Sequence, residues 1–251
     1  MIDHPKRLAF FLPNTFTALN LACGFGSVIM SWNGQFYNAG MILLLGSIFD
    51  SVDGRVARMT GTQSQFGEQF DSISDVVSFG IAPAFLAYNC FFKDLGRLGM
   101  VISFIYLLCG SLRLARFNAN IEKVSSDYFQ GLPIPTAALG IVGYVLLSVE
   151  FEVIKDYTPI TIFYVLLYSL LMISNIPFYS FKNSTWVKTH KKRVLALIFL
   201  LLALIFTYEQ LMIGAITGAY VLGGLVYFAT HKGALEDVFS WKNENEHDEE
   251  D

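Results

Sequence analysis

The sequence predicts an all-α, polytopic membrane bundle of about eight transmembrane helices, and three observations support this. Of 251 residues, 54% are hydrophobic and only 15% charged, with a mean hydropathy of +0.49, too apolar for an ordinary water-soluble domain. The apolar residues gather in runs long enough to cross a bilayer, separated by short polar connections. The cations also fall to one side. With a cytoplasmic N-terminus and eight crossings, only Lys93, Arg97 and Lys155 lie in external loops, leaving 14 of the 17 Lys and Arg inside.

Taken in order, residues 1–14 (MIDHPKRLAFFLPN) mix basic and aromatic side chains, which suits an amphipathic helix on the membrane surface. No small-residue cleavage site follows, so the first apolar segment, 15–32, is expected to be retained. It contains Asn20, a polar side chain that needs a partner inside a membrane. The second segment spans 36–58. The third spans 70–91, with a kink expected at Pro83. The fourth, 98–117, ends in SLRLARFN, whose Arg113 and Arg116 are three apart and share a helix face. Head-group snorkelling and receipt of a phosphate or carboxylate are both open to such a pair.

The stretch FQGLPIPTAALG then makes a stiff entry, through Gly131, Pro133 and Pro135, into a fifth segment over 135–149. A sixth covers 160–176, followed by a loop with Lys182, Lys188, Lys191, Lys192 and Arg193. Residues 194–230 are too long for one crossing and are broken at Tyr208-Glu209-Gln210, which predicts two helices. The expected organisation is an interfacial segment (1–14), one transmembrane domain (15–232) and an acidic cytoplasmic tail (233–251). Six negative charges between Glu244 and Asp251 dominate the net charge of −4, which therefore says little about the rest of the chain, and no nucleic-acid partner is expected. Cys23, Cys90 and Cys109 show neither disulfide nor metal-ligand spacing and read as small apolar residues.

The chemistry concentrates in DSVDGRVARMTGTQSQFGEQFDSISD, residues 50–75. Asp50 and Asp53 are three apart and Asp71 and Asp75 four apart, so each pair projects from one face of a helix. Glycines at 61 and 67 let the second helix return beside the first, and four carboxylates converge near one membrane surface. Ionisable groups at that depth are expensive and mark function. Oxygen ligands without nearby His or Cys suit Mg2+, Mn2+ or Ca2+. Two dications would balance four carboxylates, an arrangement used to clamp attacking and leaving oxygens in phosphoryl chemistry. Helix caps, or an ion pathway in a transporter, are the other readings; a pathway predicts acidic residues spread through the membrane depth, whereas these cluster at one level.

Asp50, Asp53-Gly54, Ala57-Arg58, Gly67, Asp71 and Asp75, at these intervals, resemble without departure the signature of the CDP-alcohol phosphatidyltransferase family. LRLARFN paired with FQGLPIP resembles the membrane-embedded branch whose acceptor is L-serine. The resemblance implies a six-helix core plus a C-terminal pair, CDP-diacylglycerol as donor, and a homodimer. It also implies a bacterial-type cytoplasmic membrane with the site facing the cytoplasm. Carried onto matching positions, Asp50, Asp53 and Asp71 are metal ligands, and Asp75 is the general base that also touches a second ion. Gly54, Ala57, Arg58 and Gly67 receive the donor, while Arg113 and Arg116 receive the acceptor or a phosphate. The cofactor is Mg2+ or Mn2+, two ions, with Ca2+ able to bind in their place. Glycerol 3-phosphate and inositol remain alternative acceptors.

Overall fold

The computed structural model describes residues 5–119, 128–179, 204 and 207–230, with side chains from residue 11 onward. Nearly all of these are helical. Helices α1 (Pro5–Trp32) and α2 (Phe36–Thr60) form an antiparallel pair joined by a tight turn at Gly34, whose φ of 75° is the left-handed value that glycine accepts. The helix runs unbroken through Pro13, so the polar N-terminal segment and the first span share one helix. An apolar run beginning at Leu8 outweighs the one backbone hydrogen bond that proline forgoes.

Helix α2 ends at Gly61, also left-handed at φ 64°, with its N–H bonded to the Ala57 carbonyl. Helix α3 (Gln65–Asp75) starts after Ser64, whose hydroxyl accepts from the Gly67 N–H at 3.1 Å. The chain then stays helical to Leu95 through a π-turn (Val76–Ile81), α4 (Ala82–Ala87), a second π-turn (Tyr88–Phe92) and a short 3-10 turn (Lys93–Leu95). The expected irregularity at Pro83 is thus absorbed before it: a π-turn widens the ladder, with the Ala82 N–H reaching Val77.

Helix α5 (Arg97–Ala119) returns, and α6 (Ile134–Glu150), the single turn α7 (Val153–Asp156), α8 (Thr158–Ile173) and α9 (Glu209–Thr230) complete the described bundle. Four stretches are long and apolar enough to cross a membrane: Phe11–Trp32, Gln65–Leu95, Arg97–Ala119 and Glu209–Thr230. Helices α6 and α8 are shorter apolar helices. Helix α2 has 25 residues but carries Asp50 and Asp53 near its end. The count of eight reduces among the described residues to these seven segments. The expected helix beginning at residue 194, the basic loop before it and the acidic tail lie outside the described residues, apart from residues 204, 207 and 208.

One departure from an all-helical chain is a two-stranded antiparallel sheet. Strand β1 (Tyr128–Gln130) pairs with β2 (Pro177–Tyr179), with Phe129 opposite Phe178. Gly131 follows at φ 74°, giving its N–H to the Ile176 carbonyl, and Leu132 gives its N–H to Leu171. The sheet is therefore stitched to the end of α8.

The core has two parts. Phe79, Tyr106, Leu132, Ile134, Met172 and Phe178 anchor one among α4, α5, α6, α8 and the sheet. Ala39, Leu43, Leu86, Val142 and Leu146 anchor the other, where α2 meets α4 and α6. Where α1 crosses α2 and the π-turn, small residues permit close approach. A Cβ on Gly24 would lie 2.8 Å from the Ser78 Cα, and one on Gly46 would lie 3.0 Å from the Cys23 Cβ. This close packing brings the carboxylate-bearing turns of α2 and α3 against α1.

Candidate metal and phosphate site

Three helices meet at the carboxylates. Asp53 is buried, and its Oδ2 accepts from the Thr17 hydroxyl of α1 at 2.8 Å, while the Gly54 N–H donates to Oδ1. Helix α3 is tied to α1 in the same register. Ser74 donates to the Thr17 carbonyl at 3.1 Å, and Ser78 donates to the Asn20 carbonyl at 2.9 Å. Asn118 of α5 donates to the Ser72 hydroxyl at 2.9 Å, joining a fourth helix.

Asp50, Asp53 and Asp71 each offer one carboxylate oxygen, all within 4.8 Å of one another. Oxygens on opposite sides of one cation bound at about 2.1–2.4 Å are separated by about 4.2–4.8 Å, so this trio fits a hard divalent ion. Asp75 stands one step outside the trio, its carboxyl paired with that of Asp50. Two carboxyls in mutual contact need a shared proton or a cation between them. The Oδ1 atoms of Asp71 and Asp75 are buried without a hydrogen-bond partner, a second sign that this donor set is built to hold positive charge.

Beside the trio opens a cavity of about 180 Å3, lined by Asp53, Gly54, Ala57, Arg58, Gly67 and Asp71 among others. Six of the eight motif residues therefore line one opening, and Asp50 and Asp75 are not among its lining residues. Arg58 folds over Gly54, where an added Cβ would lie 3.5 Å from its Nη1. Thr17, Asn14, Ser64 and Glu68 also line the cavity and were not singled out from the sequence. Thr17 stands one turn and Pro13-Asn14 two turns before the noted Asn20, which is the signal that would have found them.

The two arginines of α5 are placed differently. Arg113 is only 6% exposed, lies with its guanidinium carbon 5.2 Å from the Phe117 ring centroid, and has a buried Nε without a hydrogen-bond partner. It lies within electrostatic reach of Asp75 and of Tyr220 on α9. Arg116 instead points its guanidinium at the backbone. Its Nη1 donates to the Ile173 carbonyl and to Asn175 Oδ1, and its Nη2 to the carbonyls of Gln130, Met172 and Ser174, at 3.0 to 3.3 Å. The fork geometry of arginine serves several acceptors at once, so the side chain binds the end of α8 to β1.

Gly131 sits against this clamp: an added Cβ would be 2.4 Å from the Met172 carbonyl oxygen and 2.9 Å from Arg116 Nη2. Left-handed backbone costs a non-glycine residue about 1–2 kcal/mol even without a clash. Gly131→Ala is expected to lower the apparent unfolding midpoint of the purified protein by several degrees, measured by thermal unfolding in detergent. An unchanged midpoint would show that the paired strands tolerate displacement.

Comparison with known proteins adds the following. The family model described as CDP-alcohol phosphatidyltransferase matches residues 10–174. A CDP-diacylglycerol–serine O-phosphatidyltransferase of Helicobacter pylori is 36% identical over 223 residues, covering 88% of this chain and 92% of the relative. One of the same name from Methanocaldococcus jannaschii is 42% identical over 171 residues, 68% of this chain and 75% of the relative. An archaetidylserine synthase of Methanothermobacter thermautotrophicus is 37% identical over 181 residues, 71% of this chain and 74% of the relative.

Proposed function

The chain belongs to the CDP-alcohol phosphatidyltransferase family and is an enzyme of that class, and from that premise we propose that it transfers the phosphatidyl group of CDP-diacylglycerol to L-serine. The products are phosphatidylserine and CMP. The observation that carries the chemistry is the convergence of Asp50, Asp53 and Asp71 within 4.8 Å beside an open cavity. The acceptor assignment is supported by relatives whose names differ in the lipid and agree in serine.

The reaction asks for three things from the protein. The donor's pyrophosphate must be held at the membrane surface while its acyl chains stay in lipid. Gly54, Ala57 and Gly67 keep the cavity wall low for the nucleotide and pyrophosphate, and Arg58 offers a guanidinium to a phosphate oxygen. Next, four carboxylates must coexist with an anionic substrate. Asp50, Asp53 and Asp71 would hold a divalent Mg2+ or Mn2+, and Asp75 would contribute to a second ion. When bound, the cations supply neutralisation of the pyrophosphate and of the charge developing on the CMP oxygen.

Finally, the acceptor must lose a proton. Asp75 takes it from the serine hydroxyl as that oxygen bonds to the phosphorus carrying diacylglycerol and the bond from phosphorus to the CMP oxygen breaks. Arg113, unpaired at Nε on the α5 side of Asp75, receives the serine carboxylate. Arg116 supports it from the next turn by holding the end of α8 and the sheet. The positive-inside count, taken with eight crossings, supports a cytoplasmic face for this end of the bundle, where soluble serine and CMP would be exchanged.

The acceptor is tested by supplying purified protein with CDP-diacylglycerol, a divalent metal, and serine, glycerol 3-phosphate or inositol in separate reactions, with lipid products identified by mass spectrometry. Phosphatidylserine is expected with serine and no comparable product with the other two. A product from glycerol 3-phosphate or inositol alone would keep the donor chemistry and remove serine.

A further inference from the structure

Asn20 carries the next step, which rests on the metal reading above. Its side chain is fully buried in α1, and neither Oδ1 nor Nδ2 has a hydrogen-bond partner. An unsatisfied amide within a membrane bundle is costly, so its retention at this position calls for a use. The helix register says what faces it. Thr17 on α1 bonds Asp53 on α2, and the Asn20 Oδ1 lies 3.1 Å from where a Cβ on Gly46 would stand. Gly46, Asp50 and Asp53 follow one another up a single face of α2, as Asn20 and Thr17 do on α1. By helix register Asp50 therefore falls between the two contacts, on the face of α2 turned to Asn20, with no bond joining the two side chains in this structure.

From the third helix, Ser74 and Ser78 donate to the α1 carbonyls of Thr17 and Asn20, which sets Asp75 against the same level. Both hydroxyls have already given their protons. The acceptors with most to gain from an amide N–H are the carboxylates of Asp50 and Asp75, which contact each other, and Asp75 Oδ1 has no partner. Gly46 leaves the amide no side chain to climb past.

We propose that Asn20 is a positioning residue for the Asp50–Asp75 carboxylate pair: the amide is unpartnered here, and its Nδ2 would donate to the pair from the membrane side once cations are bound, so that the remaining oxygens face the cations and the acceptor. It acts through the pair and does not touch substrate. Outer-shell partners of this kind change metal affinity by about 10–100-fold when removed.

The test uses full-length wild type, Asn20→Leu and Asn20→Asp, purified in detergent, with Mn2+ as probe and thermal unfolding as readout, besides CMP release. Asn20→Leu removes both unpaired atoms at similar volume. It is expected to unfold at or above the wild-type temperature without metal, and to need about tenfold more Mn2+ to reach half its metal-induced shift. Asn20→Asp adds a fifth carboxylate beside the pair, so it is expected to unfold earlier without metal and to gain more from Mn2+ than wild type does. A Mn2+ midpoint for Asn20→Leu within twofold of wild type would overturn the proposal. So would an Asn20→Asp destabilisation equal with and without Mn2+, because a helix-packing role is blind to the ion. A wild type indifferent to Mn2+ would remove the metal reading itself, and this proposal with it.

Discussion

Replacing Asp75 by asparagine is expected to leave a folded, metal-binding protein whose turnover falls by about a thousandfold, the middle of the range for losing a general base. Asp75 lies outside the trio of oxygens that fit one cation and makes its contact through Asp50. Asparagine keeps the volume and can still donate to Asp50, so the packing between α1 and α3, held by Ser74 and Ser78, is untouched. What it lacks is a basic oxygen to receive the serine proton. CMP release measured beside the Mn2+-induced thermal shift checks both halves of the expectation. Near-normal turnover in this variant would remove Asp75 from the base role.

Asp50→Asn is expected to fail for the opposite reason. Asp50 belongs to the trio and also contacts Asp75, so its neutral replacement weakens the cation site by about a hundredfold or more, beyond the range found for outer-shell changes. Raising the metal concentration should therefore restore part of its activity, while the same treatment leaves Asp75→Asn inactive. A metal titration of CMP release separates the two variants. Equal response of both to added metal would mean that the two carboxylates share one role.

The arrangement of the four carboxylates was only partly legible in the sequence. The aspartates announce themselves because helical spacing alone puts each pair on a face, and Gly61 and Gly67 mark the turn that brings the faces together. The turn at Gly61 and the entry at Gly131 were readable because both adopt backbone that glycine favours, whereas the turn at Gly34 was not singled out. That Asp75 stands apart from the other three depends on how α3 is rotated against α1 by the Ser74 and Ser78 bonds, which spacing does not encode.

Arg116 is the clearest case of a residue whose meaning lies in its neighbours. Its spacing from Arg113 says only that they share a face, while its five acceptors come from residues 130 and 172–175, distant in the chain. The small sheet that supplies one of them escaped notice because three-residue strands carry no periodicity to read. A kink was expected at Pro83; the structure has instead a π-turn just before it, packed against α1 and α5, where the Phe79 carbonyl accepts from the Tyr106 hydroxyl.

The central claim is that a cation-dependent carboxylate site drives phosphatidyl transfer to serine. It is tested most directly by measuring serine-dependent CMP release from CDP-diacylglycerol before chelation, in EDTA, and after Mg2+ or Mn2+ is restored. Release is expected to cease in EDTA and to return with the metal, with phosphatidylserine formed in step with CMP. Turnover that persists unchanged in EDTA would contradict the account.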